Sequence, residues 1–242
     1  MDDSDLFETA RFPTPMRPLL GVTVLVVEDS RYACDAMRLL CLRSGARIRR
    51  ADSLSSADRH LSVYQPTVIS VDLGLPDGDG LQLIAKLHMA VPRIGVILGT
   101  SGDDTADEAV RMAGADGFLL KPISSLASFQ ELVLSLLPEN CRPMGPRIVN
   151  DDVICADSGA YAEDLLFILD LLNDKSSGKT LDYVAQFLTG VARSAGDKTL
   201  LLAGEKLAIA RMQRRGCSKT VARIAGLIQT RLSARAGSES WV

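Results

Sequence analysis

Acid, acid, hydroxyl and amine recur at the ends of apolar runs in the first half of the chain. Glu28 and Asp29 follow VTVLVV, Asp72 follows TVISV, Thr100 ends GVILGT, and Lys121 follows GFLL. Apolar runs of this length, alternating with helical stretches, read as strands of a parallel sheet buried on both faces. In an open parallel sheet the ligand crevice lies outside the carboxyl ends of the strands, so groups far apart in sequence meet there. Three carboxylates gathered in this way repel one another and call for a cation. Mg²⁺ suits them, because it takes oxygen ligands and is commonly held by one or two carboxylates together with a phosphate oxygen. An aspartate can form an aspartyl phosphate, and phosphoryl transfer asks mainly for positioning and charge neutralisation. Asp72 is therefore the candidate acceptor, with the Lys121 ammonium and the Thr100 hydroxyl taking the remaining phosphoryl oxygens.

Residues 21–138 resemble the receiver domain of two-component response regulators. The resemblance is carried by VVEDS with its acidic pair, DLGLPDGDG beginning at Asp72, the Thr100 position, and GADGFLLKP with Lys121 before Pro122. It implies a five-stranded, doubly wound parallel α/β domain of flavodoxin-like type. Phosphorylation of Asp72 by a histidine kinase or phosphotransfer protein is also implied. The metal would be held by Glu28, Asp29, Asp72 and the backbone carbonyl of Gly74, and the peptide bond before Pro122 would be cis. A switch is implied in which Thr100 moves toward the phosphoryl group and Phe118 turns inward. The domain would be a signalling phosphoacceptor that assists its own phosphorylation and dephosphorylation, and not an enzyme acting on other substrates. Phe118 stands where many receivers carry tyrosine, Gly74 offers no side chain, Gly99 precedes the switch threonine and Ser101 follows it. These departures bear on how long the phosphorylated state lasts.

The elements that must position these groups are strands near 22–27, 47–51, 67–71, 94–99 and 117–120, with helices near 30–44, 54–62, 80–89, 104–113 and 124–137. Gly45 and Gly114 stand where left-handed helix caps are expected. The charged strand RIRRAD belongs at a sheet edge, as strand order 2-1-3-4-5 requires. Residues 1–20, with Pro13, Pro15 and Pro18, read as a mobile arm able to pack as extended chain. Residues 139–150, within PENCRPMGPRIVN, read as the linker between domains.

From 151 to 236 the period becomes helical, giving a second, all-α domain of about four helices. Its apolar faces are Leu165, Ile168, Leu169 and Leu172; Leu181, Val184, Leu188 and Val191; Leu200, Ala203, Leu207 and Ala210; and Val221, Ile224, Ala225, Ile228 and Leu232. A bundle this small is marginal alone and needs a partner, a second copy or the receiver to complete its core. The two histidines, His60 and His88, both lie in the first half, so the helical half is no histidine phosphotransfer domain. SSGKT at 176–180 has Asn173 where a phosphate-binding loop needs its first glycine, and reads as a helix-capping turn.

After Glu205 every charged residue to Arg235 is basic, including Arg214, Arg215, Lys219 and Arg223. This cluster fits an acidic protein partner or DNA phosphates. Output through protein contact or self-association is the leading expectation, with a DNA-binding transcriptional regulator as the alternative. In receivers the surface of the last two helices and strand, here about Asp104 to Gln130, commonly makes the output contact.

With 47% hydrophobic and 24% charged residues over 242 positions, composition is that of a soluble globular protein, and a net charge of -3 selects no partner class. Five cysteines without CxxC or Cys/His spacing argue against a disulfide framework or a zinc site. Cys34 and Cys41 share a helical face as small buried hydrophobes. MDDSDLFE is acidic where a signal peptide would be basic, and no apolar run approaches membrane-spanning length, so a cytoplasmic protein is expected.

Overall fold

In the apolar runs of the first half, successive side chains point to opposite faces, and both faces must be covered. The structure, a computed structural model, describes residues 12–145, 152–173 and 177–239. Strands β1 (Thr23–Val27), β2 (Arg47–Ala51), β3 (Val68–Asp72), β4 (Val96–Ser101) and β5 (Gly117–Leu120) form one parallel sheet in the order β2-β1-β3-β4-β5. Val24 and Val26 pack under α1 (Arg31–Ser44) and α5 (Leu126–Leu136), against Met37, Leu40 and Phe129. Leu25 and Val27 face the other way, into a core with Ile69, Val71, Ile84 and Val110. There they meet α2 (Leu54–Leu61), α3 (Gly80–His88) and α4 (Ala106–Met112). The charged strand β2 lies at the edge, as its sequence requires.

Helix α1 starts at Ser30, whose hydroxyl accepts from the Ala33 amide, and ends at Gly45 with φ +85°. Between β3 and α3 the segment DLGLPDGDG folds as a two-residue hairpin, Gly74–Leu75 against Gly78–Asp79, which periodicity does not announce. Gly80 is required here, since a Cβ would stand 2.1 Å from the Asp72 carbonyl oxygen. Gly99, the departure before Thr100, is explained by packing: a Cβ there would meet a Val110 methyl at 2.5 Å.

The second half forms α6 (Ser158–Asn173), α7 (Gly178–Ser194), α8 (Lys198–Met212) and α9 (Ser218–Glu239). Leu165, Ile168, Val184, Leu188, Leu200, Leu207, Ile224 and Ile228 make its core, so the four expected stripes face one another. Phe187 joins this core from outside the expected set. Ser177 caps α7 by accepting from the Thr180 amide, the capping turn expected there.

Three expectations need correction. Leu19, assigned to a mobile arm, is fully buried in the core beneath α1, and its amide donates to the Ser44 carbonyl; residues 1–11 lie outside those described. The stretch 152–157 belongs with the first domain, not with the helical one. Ile154 is buried in the first domain's core, Val153 bridges Ser125, and Asp152 pairs with Arg43 at 3.0 Å. The expected linker holds a short 3-10 turn, Glu139–Cys141, and residues 146–150 lie outside those described. Finally, the bundle does not settle on the surface from Asp104 to Gln130. It lies with α6 and α7 across α1 and the loops after β1, β3 and β4, because the polar groups it can satisfy are there.

Candidate functional site

Strand ends bring the expected groups to one rim. Glu28 and Asp29 leave β1, Asp72 ends β3, and Thr100 is its register partner on β4. Carboxylate oxygens of Glu28, Asp29 and Asp72 all lie within 4.8 Å of one another. Lys121, just past β5, reaches in, its ammonium 2.5 Å from Glu28 Oε2 and 2.7 Å from Asp72 Oδ1. Glu28, Asp72, Thr100 and Lys121 are buried.

Three carboxylates face one ammonium, and the electrostatics register the imbalance. Burial pushes the Glu28 carboxyl up to about 8 against the pull of Lys121, with Asp72 and Asp29 adding to the rise. Burial likewise raises Asp29 to about 6, opposed by the Tyr183 hydroxyl. Lys121 is held above its ordinary value: desolvation alone would lower it, but the Asp72 and Glu28 carboxylates prevail. Hard oxygen donors in excess over local positive charge fit a divalent cation.

Pro122 follows a cis peptide bond, as does Pro92. Phe118 is half-buried beside the core under α2–α4 and pairs in register with Gly99. The Gly74 amide donates to Asp72 Oδ2 at 3.2 Å. The basic residues Arg214, Arg215, Lys219 and Arg223 are not brought to this rim; all four are exposed at the α8–α9 turn and the start of α9. Other cations of that run are spent inside the bundle. Arg211 pairs with Asp182 at 2.7 Å, Arg231 with Asp197 at 2.9 Å, and Arg235 donates to the Ser158 carbonyl.

The helical half supplies neighbours to the rim that periodicity did not single out. Tyr183 on α7 donates its hydroxyl to Asp29 Oδ2 at 2.6 Å. Asp164 on α6, 2% exposed, accepts from the Ser30 hydroxyl at 2.7 Å and from the Arg31 and Tyr32 amides at 2.8 and 3.1 Å. Burial raises its carboxyl above the usual range, against the pull of those three donors. Gln186 packs on Gly74, where a Cβ would stand 2.2 Å from the amide nitrogen, and Arg193 donates to the Gly102 carbonyl. Between the halves lies a cleft of about 640 Å³ lined by Asp72, Lys121, Gln186 and Arg193. One signal for Asp164 was present in the sequence: with Tyr161 three before and Ile168 four after, it sits on the apolar stripe itself, where an acid needs donors.

Residues 24–133 match a family model described as the response regulator receiver domain. The virulence transcriptional regulatory protein PhoP of Salmonella typhimurium (strain LT2) is 34% identical over 100 residues, covering 41% of this chain and 45% of that protein. The transcriptional regulatory protein PhoP of Escherichia coli O157:H7 is 33% identical over 100 residues, with the same coverage. The chain thus spans less than half the length of the curated relatives it matches. A solved response regulator receiver domain from Methylobacillus flagellatus is 27% identical, covering 48% of this chain and 98% of that one at a TM-score of 0.42. No helix among the described residues is long and apolar enough to cross a membrane. Residues 24–133 are a response regulator receiver domain, joined in this chain to a second domain of helices.

Proposed function

We propose that the chain is a two-component response regulator that takes a phosphoryl group on Asp72 from a histidine kinase or histidine phosphotransfer protein. The observation that carries this is the convergence of Asp72, Glu28, Asp29 and Lys121 at one rim of the sheet. An Asp72 carboxylate oxygen attacks the donor's phosphorus, the donor's P–N bond breaks, and an acyl phosphate forms. Glu28, Asp29, Asp72 and the Gly74 carbonyl would hold Mg²⁺, which when bound supplies neutralisation of the phosphoryl oxygens. Lys121, freed from part of its pairing with Asp72, takes another of those oxygens. Thr100, beside Asp72 in register, takes the third, and Phe118, the register partner of Gly99, follows inward.

Acetyl phosphate with Mg²⁺ should label the wild-type chain and leave Asp72→Asn unlabelled. Label retained in that variant would place the acceptor elsewhere.

Output runs through the helical domain by protein contact or self-association. Helix α8 supports this: opposite buried Leu200, Ala203 and Leu207 it exposes Leu202 and Ile209, two apolar side chains open to a partner or a second copy. DNA binding is a second reading, favoured by the exposed cluster of Arg214, Arg215, Lys219 and Arg223 and by the transcriptional role in the relatives' names. Duplex binding by the full chain that weakens steeply with salt would favour it. No binding at low salt would remove it.

A further inference from the structure

Helix α7 turns one face to the receiver's rim. Tyr183, Gln186, Gly190 and Arg193 recur every three or four residues and so line one side of it. Tyr183 ties one end of that side to Asp29 Oδ2, and Arg193 ties the other to the Gly102 carbonyl, with Glu205 3.8 Å away. Between them Gln186 is carried over Gly74, whose missing side chain leaves the place that the Gln186 amide nitrogen takes. The Gly74 amide donates to Asp72 Oδ2 at 3.2 Å, and Gln186 and Asp72 line the same cleft of about 640 Å³. Other polar side chains of α7 are engaged: Asp182 with Arg211, and the Thr189 hydroxyl with the Ala185 carbonyl. Among the described residues the Gln186 amide has no hydrogen-bond partner, and Gln186 is exposed at the cleft. A free amide offers a donor and an acceptor at one place.

We propose that Gln186 is a catalytic residue for hydrolysis of the acyl phosphate on Asp72, so that the helical domain supplies the receiver with a phosphatase element in cis. This rests on the reading of Asp72 as the phosphoacceptor. Water attacks the phosphorus, the new P–O bond forms as the P–O bond to Asp72 breaks, the carboxylate is regenerated, and both water protons leave on inorganic phosphate. Such a step asks the protein mainly to position the water and to meet the phosphoryl charge, and a glutamine is suited to the first task. The Gln186 carbonyl accepts from the water, while its NH₂ donates to a phosphoryl oxygen. Gly74 has no side chain with which to do this, and the bundle brings one to the same place. The helical domain thereby sets how long the phosphorylated state lasts.

The full chain is labelled with acetyl phosphate and Mg²⁺, the donor is removed, and loss of label is followed in wild type, Gln186→Leu and Gln186→Ala. Leucine keeps volume beside Gly74 and removes the amide, whereas alanine removes both. Gln186 is exposed, so neither change touches the core. Both variants should hold the label roughly tenfold longer, the scale of one hydrogen bond made in the transition state. In water enriched in heavy oxygen, the isotope should enter the released phosphate. A side chain that only excludes water would give the opposite sign, with faster loss from Gln186→Ala and unchanged loss from Gln186→Leu. Loss at or above the wild-type rate in either variant, or heavy oxygen in the Asp72 carboxylate, overturns the proposal and leaves the phosphoacceptor reading standing. A wild type that takes no label overturns both.

Discussion

The two halves bury charge in contrasting ways. In the receiver, Glu28, Asp72 and Lys121 are buried together at a rim built from three different strand ends, and they neutralise one another only in part. In the bundle, among the described residues, a single charged side chain is buried, Asp164, and every hydrogen-bond partner found for it lies in the receiver. The receiver's buried charges gather at its own rim with carboxylate in excess, whereas the bundle's attaches it to that rim. A helical domain with an apolar core of its own thus places its one costly polar group where it fixes the relation between domains.

The sharpest way to break this contrast is to remove the receiver's one buried cation. Lys121→Met should destabilise the chain by about 3–5 kcal/mol, because the Glu28 and Asp72 carboxylates lose their partner. Added Mg²⁺ should recover much of that loss. Denaturant midpoints with and without the ion check both statements, and a loss below about 1 kcal/mol would mean that the pairing is solvated.

Removing the bundle's buried acid should cost less and act locally. Asp164→Ala should destabilise docking by roughly 2 kcal/mol, since water can replace the lost acceptor once the bundle lifts. Amide exchange at Arg31 and Tyr32 should rise while β1 and β3 keep wild-type protection. Uniform loss of protection across both halves would contradict a local role.

A pH series separates the halves more finely. Glu28 and Asp29 are raised to about 8 and about 6, so the folded state binds their protons more tightly than the unfolded chain does. With divalent cations chelated, the stability tied to these protons is fully present below the unfolded values. It is lost as pH rises through about 6 for Asp29 and about 8 for Glu28. Mg²⁺ should flatten or reverse that slope, since an ion held by the cluster would stabilise its ionised form. Thermal midpoints across this range, with chelator and with Mg²⁺, measure the difference. The same slope in both series would mean that the cluster does not take the ion.

The smallest effect belongs to the α8–α9 turn. Arg214 has φ +53°, in the position where helices favour glycine, and the Arg215 amide closes the helix on the Ala210 carbonyl. Arg214→Gly should stabilise the chain by about 1 kcal/mol with Mg²⁺ binding unchanged. Loss of stability would show that the Arg214 side chain makes a contact of value.

The sequence by itself determined the receiver's sheet and the contents of its rim. Short, β-branched, mainly apolar runs such as VTVLVV, alternating with helical stretches, read as central strands, and a parallel sheet sends the residue after each run to the same edge. Glu28, Asp72 and Lys121 could therefore be placed together before any distance was known. It determined the bundle's core stripes for the same reason, since periodicity reports which side of an element is covered. Only the tertiary structure decided what covers the remaining surface: where the bundle sits, that Leu19 and Ile154 close the receiver's core, and that Asp164 and Tyr183 reach across to α1 and Asp29. Local patterns state that a face is buried but not against what. A docking geometry depends on a few polar groups finding partners more than a hundred residues away, which no period in the chain records.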